Sequence, residues 1–270
     1  MPKTASAIAK MLKRFWTHPL VRSLDVETAD RILVHRELVE AKPILKANLR
    51  KWYAQLLPAV RETASLPGRM VELGSGAGFL EEIIPDVVKT DVLKTPLVHE
   101  VQNACSLTYS DNSLRILFLV GVLHHLENIE EFLKEADRTL QPGGRLVMIE
   151  PHNSFPQRTL CRILDHYEYF DDTVGSWRNK TEAGIMTSAN LALPWVVFIR
   201  DRNVFEKKFP RLVIRKISYH SLFLLLLSGG MSYRSFVPGF MLPLVQFADW
   251  LLSPFMKYVG TVLTIDVEKQ

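Results

Sequence analysis

Residues 69–79 read RMVELGSGAGF: a short apolar run, an acid, then glycine at 74, 76 and 78. Glycine takes positive φ without steric cost and lets backbone approach a ligand closely. A loop of this kind at the end of a strand constrains the chain more than any other stretch, because it needs a buried strand before it. A phosphate-gripping loop of the Walker type requires Gly-Lys-Ser/Thr after the glycines, and none follows. The dinucleotide fingerprint G-x-G-x-x-G requires its third glycine at position 79, where this chain has Phe79. That one-residue displacement matters, since the third glycine lets helix and strand pack closely.

The pattern around the loop gives the organisation. Before it, apolar residues recur at helical spacing: Ile8, Met11, Leu12, Phe15 and Trp16 first, then about 29–40 and 44–60, until Pro67-Gly68 breaks the chain. After it the period changes. Arg69–Leu73, Asp86–Thr90, Val98–Gln102, Leu114–Val122 and Arg145–Ile149 read as strands, and LRILFLVGV is apolar enough to be buried on both faces. Helices are predicted from Phe79 to Ile84 and from Ile129 to Leu140, the latter stopped by Pro142-Gly143-Gly144. Lys94-Thr95-Pro96 predicts a loop after Asp91. Two less regular stretches, 151–208 and 221–258, are separated by a strand at Leu212–Tyr219, and Thr261–Val267 closes the chain as another. Alternating strands and helices imply a parallel sheet covered on both faces, with ligands held at the carboxyl ends of the strands. Glu72–Gly78, Asp91, Gly121–His125 and Glu150–His152 all follow strand ends and are expected around one crevice.

Read in order, VELGSGAGF, Asp91, NACSL, DNSLRILFLVGVLHHL and LQPGGRLVMIEP resemble the class I S-adenosylmethionine (SAM)-dependent methyltransferases, in particular the type 11 and ubiquinone-menaquinone methyltransferase-like group. The resemblance spans Arg69–His152. It implies an α/β fold, a Rossmann-like, doubly wound, mainly parallel seven-stranded sheet, with residues 1–67 as an amino-terminal helical cover. The domain itself would cover 68–270, with insertions at about 151–208 and 221–258 near the acceptor. It further implies SAM as cofactor, with Glu72, Gly74, Gly76, Gly78, Asp91, Asn103, Ala104 and Gly121 as its binding residues. Asp91 falls where the family places an acid on the ribose hydroxyls, and an ionised carboxylate can accept both.

His124 and His125 are the candidate catalytic bases, for an acceptor that carries a proton. His152, His166, Tyr167, Asn190 and Trp195 are candidates for contact with the acceptor. No metal site is expected. Amine-directed DNA enzymes of this fold carry Asn/Asp-Pro-Pro-Tyr/Phe after the fourth strand, and Gly121-Val122-Leu123-His124-His125 stands there instead. The second insertion, rich in Leu, Phe, Met and Trp, predicts an apolar acceptor pocket and peripheral membrane contact. Residues 1–69 hold 13 Lys/Arg against 6 Asp/Glu, a surplus of 7, and with +4 overall the remainder is −3. The insertions carry mixed charge, which argues against nucleic acid as a partner.

The expected function is methyl transfer to O, C or N of a small apolar metabolite. An RNA methyltransferase and a SAM-binding protein without turnover stay open as alternatives. Two cysteines, Cys105 and Cys161, give no disulfide framework and favour a reducing, cytoplasmic setting. The first sixteen residues show no secretory signal, and the longest apolar run, Leu222–Leu227, is far short of the roughly 18 residues that span a bilayer.

Overall fold

The structure is a computed structural model that describes residues 14–22, 24–164, 168–179, 184 and 186–270. Ile8, Met11 and Leu12 of the first expected helix lie outside them. Seven strands form one sheet: β1 (Arg69–Leu73), β2 (Val87–Asp91), β3 (Glu100–Val101), β4 (Leu114–Val120), β5 (Leu140–Pro151), β6 (Leu212–His220) and β7 (Val262–Lys269). Their order is β3-β2-β1-β4-β5-β7-β6. The first five run parallel, and β7 lies antiparallel between β5 and β6. The α/β class and the mainly parallel seven-stranded sheet are those expected.

Side-chain alternation along the strands divides the core in two. Leu117 and Leu119 of β4 face one side with Val71, Leu73, Leu146 and Met148, where helix Ile129–Thr139 lays down Phe132, Leu133 and Ala136. Ile116 and Phe118 face the other side with Met70, Val147 and Ile149. There the partners are Val39, Leu45, Leu49 and Tyr53, from helices α1 (Asp30–Glu40) and α2 (Pro43–Ala54), and Ala59 of α3 (Leu57–Glu62). The amino-terminal helices therefore share a core with the sheet. The periodic stretch 44–60 is two helices because Pro58, with no N–H to donate, opens the second one.

One expectation fails. The helix predicted from Phe79 is a single 3-10 turn, Leu80–Glu82. Pro85 follows Ile84, and a residue before proline is driven out of the helical region. The loop from β2 to β3 likewise holds no helix, as Lys94-Thr95-Pro96 predicts. With these crossover helices missing, α2 covers the sheet instead, and Phe79 lies under the Arg36 guanidinium at 4.9 Å.

The irregular stretches are mostly helical. The first contains a helix at Phe155–Leu164 and Leu193–Arg200, a helical turn that widens into a π turn, and ends in Arg202–Lys208. The second contains Phe223–Ser228, Leu242–Leu251 and Met256–Val259. Among the described residues no helix is long and apolar enough to cross a membrane.

Phe118 is fully buried in the central strand, whereas Leu244 is largely exposed. Phe118→Ala should lower the urea-unfolding free energy by about 3–5 kcal/mol, and Leu244→Ala should change it by less than about 0.5 kcal/mol. Equal costs for the two would contradict this placement of the core.

Candidate functional site

The glycine loop is fixed by hydrogen bonds to β2. The Ser75 N–H donates to the Thr90 carbonyl at 2.8 Å, and Ser75 Oγ accepts the Thr90 N–H at 3.0 Å. Gly74 adopts φ +66°, and a Cβ there would stand 2.6 Å from Val122 Cγ2, so no larger residue fits. Gly76, at φ +49°, has nothing nearer to a would-be Cβ than 3.9 Å and borders open space. Asp91 ends β2 below the loop. One of its carboxylate oxygens accepts the Gly76 N–H at 3.2 Å and the other the Leu93 N–H at 3.0 Å.

Two expected cofactor residues stand back from this space. Gly78 does not border the cavity; it lies against Lys89, while Arg36 Nη1 donates to the neighbouring Ala77 carbonyl at 2.7 Å. Glu72 alternates to the face of Met70 and is buried beneath the loop, with Oε2 lacking a hydrogen-bond partner. Burial raises its pKa to about 8 despite the opposing influence of Ser75 and Lys89. Glu72 is a residue of the loop's support, not of the cavity wall.

A cavity of about 670 Å³ opens at the carboxyl ends of β1, β2, β4 and β5. Gly74, Gly76, Asp91, Asn103, Ala104 and Gly121 border it, together with His124 and His125. Gly121 turns the chain at φ +68° and donates its N–H to the Ile149 carbonyl at 2.8 Å. The Asn103 side-chain oxygen accepts the Cys105 N–H at 2.9 Å and so shapes its own turn. Leu49, Trp52, Leu160, Leu191, Leu225, Leu226, Met231 and Phe236 supply most of the opposite wall. A volume of this size suits a nucleoside-bearing ligand with room for a second molecule.

The polar end of the cavity is a cluster of imidazoles and carboxylates. Glu150 Oε1 accepts the N–H groups of Val122 and Leu123 at 2.9 and 2.8 Å, and Glu150 Oε2 stands 2.6 Å from His124 Nδ1. The other ring nitrogen of His124 lies 3.9 Å from Glu168 Oε1, and His125 Nε2 lies 3.3 Å from the same oxygen. The two imidazoles stack with centroids 4.1 Å apart. Burial alone would depress the pKa of His124, but Glu150 and then Glu168 outweigh it and raise it to about 9. This shift favours the imidazolium form of His124, which lies between Glu150 and Glu168. Ligand atoms of His124, His125 and Glu168 all lie within 4.8 Å of one another, so the same three could also hold a divalent cation.

The expected acceptor residues fare differently. His152 is not a cavity residue: its Nε2 meets the Lys257 carbonyl at 3.0 Å and its ring packs on Tyr219 at 4.7 Å. Asn190 is fully buried and joins segments of the first insertion, accepting the Asp171 and Ala192 N–H groups and donating to the Asp171 carbonyl. Trp195 packs into the core outside the cavity. All three lie outside the cavity wall, bonded to or packed on neighbours within the fold. His166 and Tyr167 lie outside the described residues.

Glu168, which stands beside the expected histidines, is not among the site residues that the sequence pattern marks. Nor does it mark Arg31, His35, Trp52 and Tyr53 of the amino-terminal helices, which border the cavity. Burial and the nearby Arg31 lower the His35 pKa to about 4.

Residues 71–148 match a family described as a methyltransferase domain. Over 71 residues the chain is 31% identical to a ubiquinone/menaquinone biosynthesis C-methyltransferase from Hydrogenovibrio crunogenus, covering 26% of this chain and 28% of that protein. Over 99 residues it is 29% identical to a demethylmenaquinone methyltransferase from Tropheryma whipplei, covering 30% and 41%. The chain thus spans less than half the length of these curated relatives. Among solved structures, a protein from Galdieria sulphuraria proposed to be a sarcosine dimethylglycine methyltransferase superimposes with TM-score 0.51 at 13% identity, covering 89% of this chain and 98% of that one. That likeness is one of fold.

Two groups make stability fall as pH rises. His124 has a folded pKa near 9 against 6.5, and Glu72 one near 8 against 4.5, so both hold protons more tightly in the folded state. The stabilisation from His124 is complete below pH 6.5 and is lost towards pH 9; that from Glu72 is complete below about 4.5 and is lost towards 8. Between pH 6.5 and 8 the unfolding free energy should therefore drop, by on the order of 1 kcal/mol per pH unit for each group. His124→Gln should flatten the slope in urea titrations, and an unchanged slope would contradict the assignment.

Proposed function

We propose that this chain, a member of the class I SAM-dependent methyltransferases, transfers a methyl group from SAM to a small, apolar acceptor carrying a dissociable proton. One observation carries the reading: the glycine loop, Asp91 and a buried His–Glu cluster border a single cavity whose remaining wall is mostly apolar.

The residues present fit SAM. Asp91 can accept hydrogen bonds from ribose hydroxyls while its backbone donors hold it in place. Gly74 and Gly76 let the loop backbone border the ligand, and Asn103-Ala104 and Gly121 enclose it further. When bound, SAM supplies an electrophilic methyl group on a sulfonium.

The rest belongs to the protein. Transfer needs the acceptor atom aligned, water excluded and a proton removed. The apolar wall from α2 and the second insertion excludes water and grips the body of the acceptor. His124, protonated and tied to Glu150, fixes the Glu168 carboxylate and His125 at the polar end. His125 Nε2 and the Glu168 carboxylate stand 3.3 Å apart at the polar end of the cavity, where either can take the acceptor's proton. The two curated relatives are named for ubiquinone/menaquinone biosynthesis and for demethylmenaquinone, and a ring with a hydroxyl group and an apolar tail matches a cavity with one polar end. Phenolic and hydroquinone acceptors with isoprenoid or alkyl tails are the class to screen.

The first test is calorimetric titration with SAM and S-adenosylhomocysteine. Micromolar binding is expected, weakened at least tenfold in a folded Asp91→Ala protein through loss of charge-assisted hydrogen bonds. No binding of either ligand to well-folded protein would overturn the reading.

With labelled methyl groups and a tailed phenol, Glu168→Gln and His125→Gln should each lower kcat by about 10²- to 10⁴-fold while leaving SAM affinity within about twofold. Loss of activity in chelator, restored by a divalent cation, would instead make the cluster a metal site.

A further inference from the structure

The helix Leu242–Leu251, LPLVQFADWL, is turned the wrong way round for a helix on a water-facing surface. Its charged residue is inside: Asp249 is 1% exposed. One Asp249 carboxylate oxygen accepts the Leu222 and Phe223 N–H groups at 3.2 and 2.8 Å, and the other lies 3.5 Å from Lys51 Nζ. Those bonds satisfy the first donors of the helix Phe223–Ser228, which has no side-chain cap at its preceding residue. With Asp249 and Val245 inward, the rotation of the helix is set. Leu244, Phe247, Trp250 and Leu251 must then face out, and Trp250 is 66% exposed. Rotating them inward would carry the Asp249 carboxylate away from the Leu222 and Phe223 N–H groups and leave those donors unpaired.

The surroundings extend this surface. Phe240, Phe255 and Tyr258 are also exposed. From Ser235 to Gly260 no acidic side chain is exposed, and the exposed charge within that span is Lys257, with Arg234 just before it. Apolar residues with Trp and Tyr among them, and with Lys257 as the exposed charge of the span, match the boundary of an anionic bilayer. The surface is also continuous with the cavity. Phe236 is exposed, borders the cavity and packs on Trp16 at 4.9 Å. Leu224 packs on Val245 of the outward-facing helix, while its neighbours Leu225 and Leu226 line the cavity.

We propose that this face rests on the surface of an anionic lipid bilayer, with Phe247, Trp250 and Leu251 seated among the acyl chains and Lys257 at the headgroups. The docking itself does not depend on methyl transfer. It rests on the rotation of one helix, and its combination with the cavity mouth at Phe236 would let a lipid-dissolved acceptor enter without crossing water.

The test is co-sedimentation of the full chain with vesicles of phosphatidylcholine alone and of phosphatidylcholine with phosphatidylglycerol, at low and high salt. Wild type is expected to pellet with the anionic vesicles, less so at high salt and much less with neutral ones. Phe247→Ser, Trp250→Ser and Leu251→Ser combined should weaken binding at least tenfold, since most of the inserted apolar area is removed. Lys257→Glu, a milder change to an exposed side chain, should weaken it about fivefold. Circular dichroism melts check that the variants fold, and calorimetry with SAM keeps failure of the cofactor reading separate. The proposal is overturned if wild type stays in solution with both vesicle types, or if the folded variants bind as wild type does. It is also overturned if wild type is a dimer that the same substitutions dissociate, because a second copy would then cover the face.

Discussion

The side chain of Glu150 holds the site together. Its two oxygens accept from the Val122 and Leu123 backbones and from His124, so one buried carboxylate joins the end of β5 to the turn after β4. That turn carries Gly121 and both histidines, and Val122 is the residue that presses on Gly74. Glycine loop, histidine turn and fifth strand therefore share one geometry. A buried charge with all its partners in place is tolerable, while the same charge with one removed is costly. The imidazolium state of His124 follows from the same bond, and Glu168 is positioned in turn by the two histidines.

Around that centre the chain has exchanged parts. The crossover helix after the glycine loop has shrunk to Leu80–Glu82, and α1–α3 with the second insertion cover the face it leaves. The wall facing the glycine loop thus comes from the first 60 residues and from 221–258, segments far apart in sequence. Leu49 and Trp52 on one side and Leu225, Met231 and Phe236 on the other give it its apolar character.

Much of the fold was legible because its signals are local. Uninterrupted apolar runs mark β4 and β5, and Asp91 and Gly121 sit where strands end. Strand alternation also places Glu72 with Met70, opposite Val71 and Leu73, hence beneath the loop. The helix that begins at Phe79 goes no further than Leu80–Glu82, because Pro85 drives the residue before it out of the helical region. His152 and Asn190 are a different matter. Their partners, Lys257 and Asp171, lie 105 and 19 residues away, and no spacing rule announces such bonds. The outward turn of Trp250 was illegible for the same reason. It depends on Asp249 finding the Leu222 and Phe223 amides, a tertiary contact that a helical wheel does not contain.

The proposed function requires Asp91 and the His–Glu cluster to address a single bound molecule and its partner across one cavity. A crystal structure with S-adenosylhomocysteine tests this most directly. Ribose hydroxyls are expected on Asp91, with the homocysteine sulfur directed towards His125 and Glu168 and an apolar space left between the sulfur and the wall at Leu225 and Met231. Ligand bound elsewhere, or with its sulfur turned away from the cluster, would contradict it.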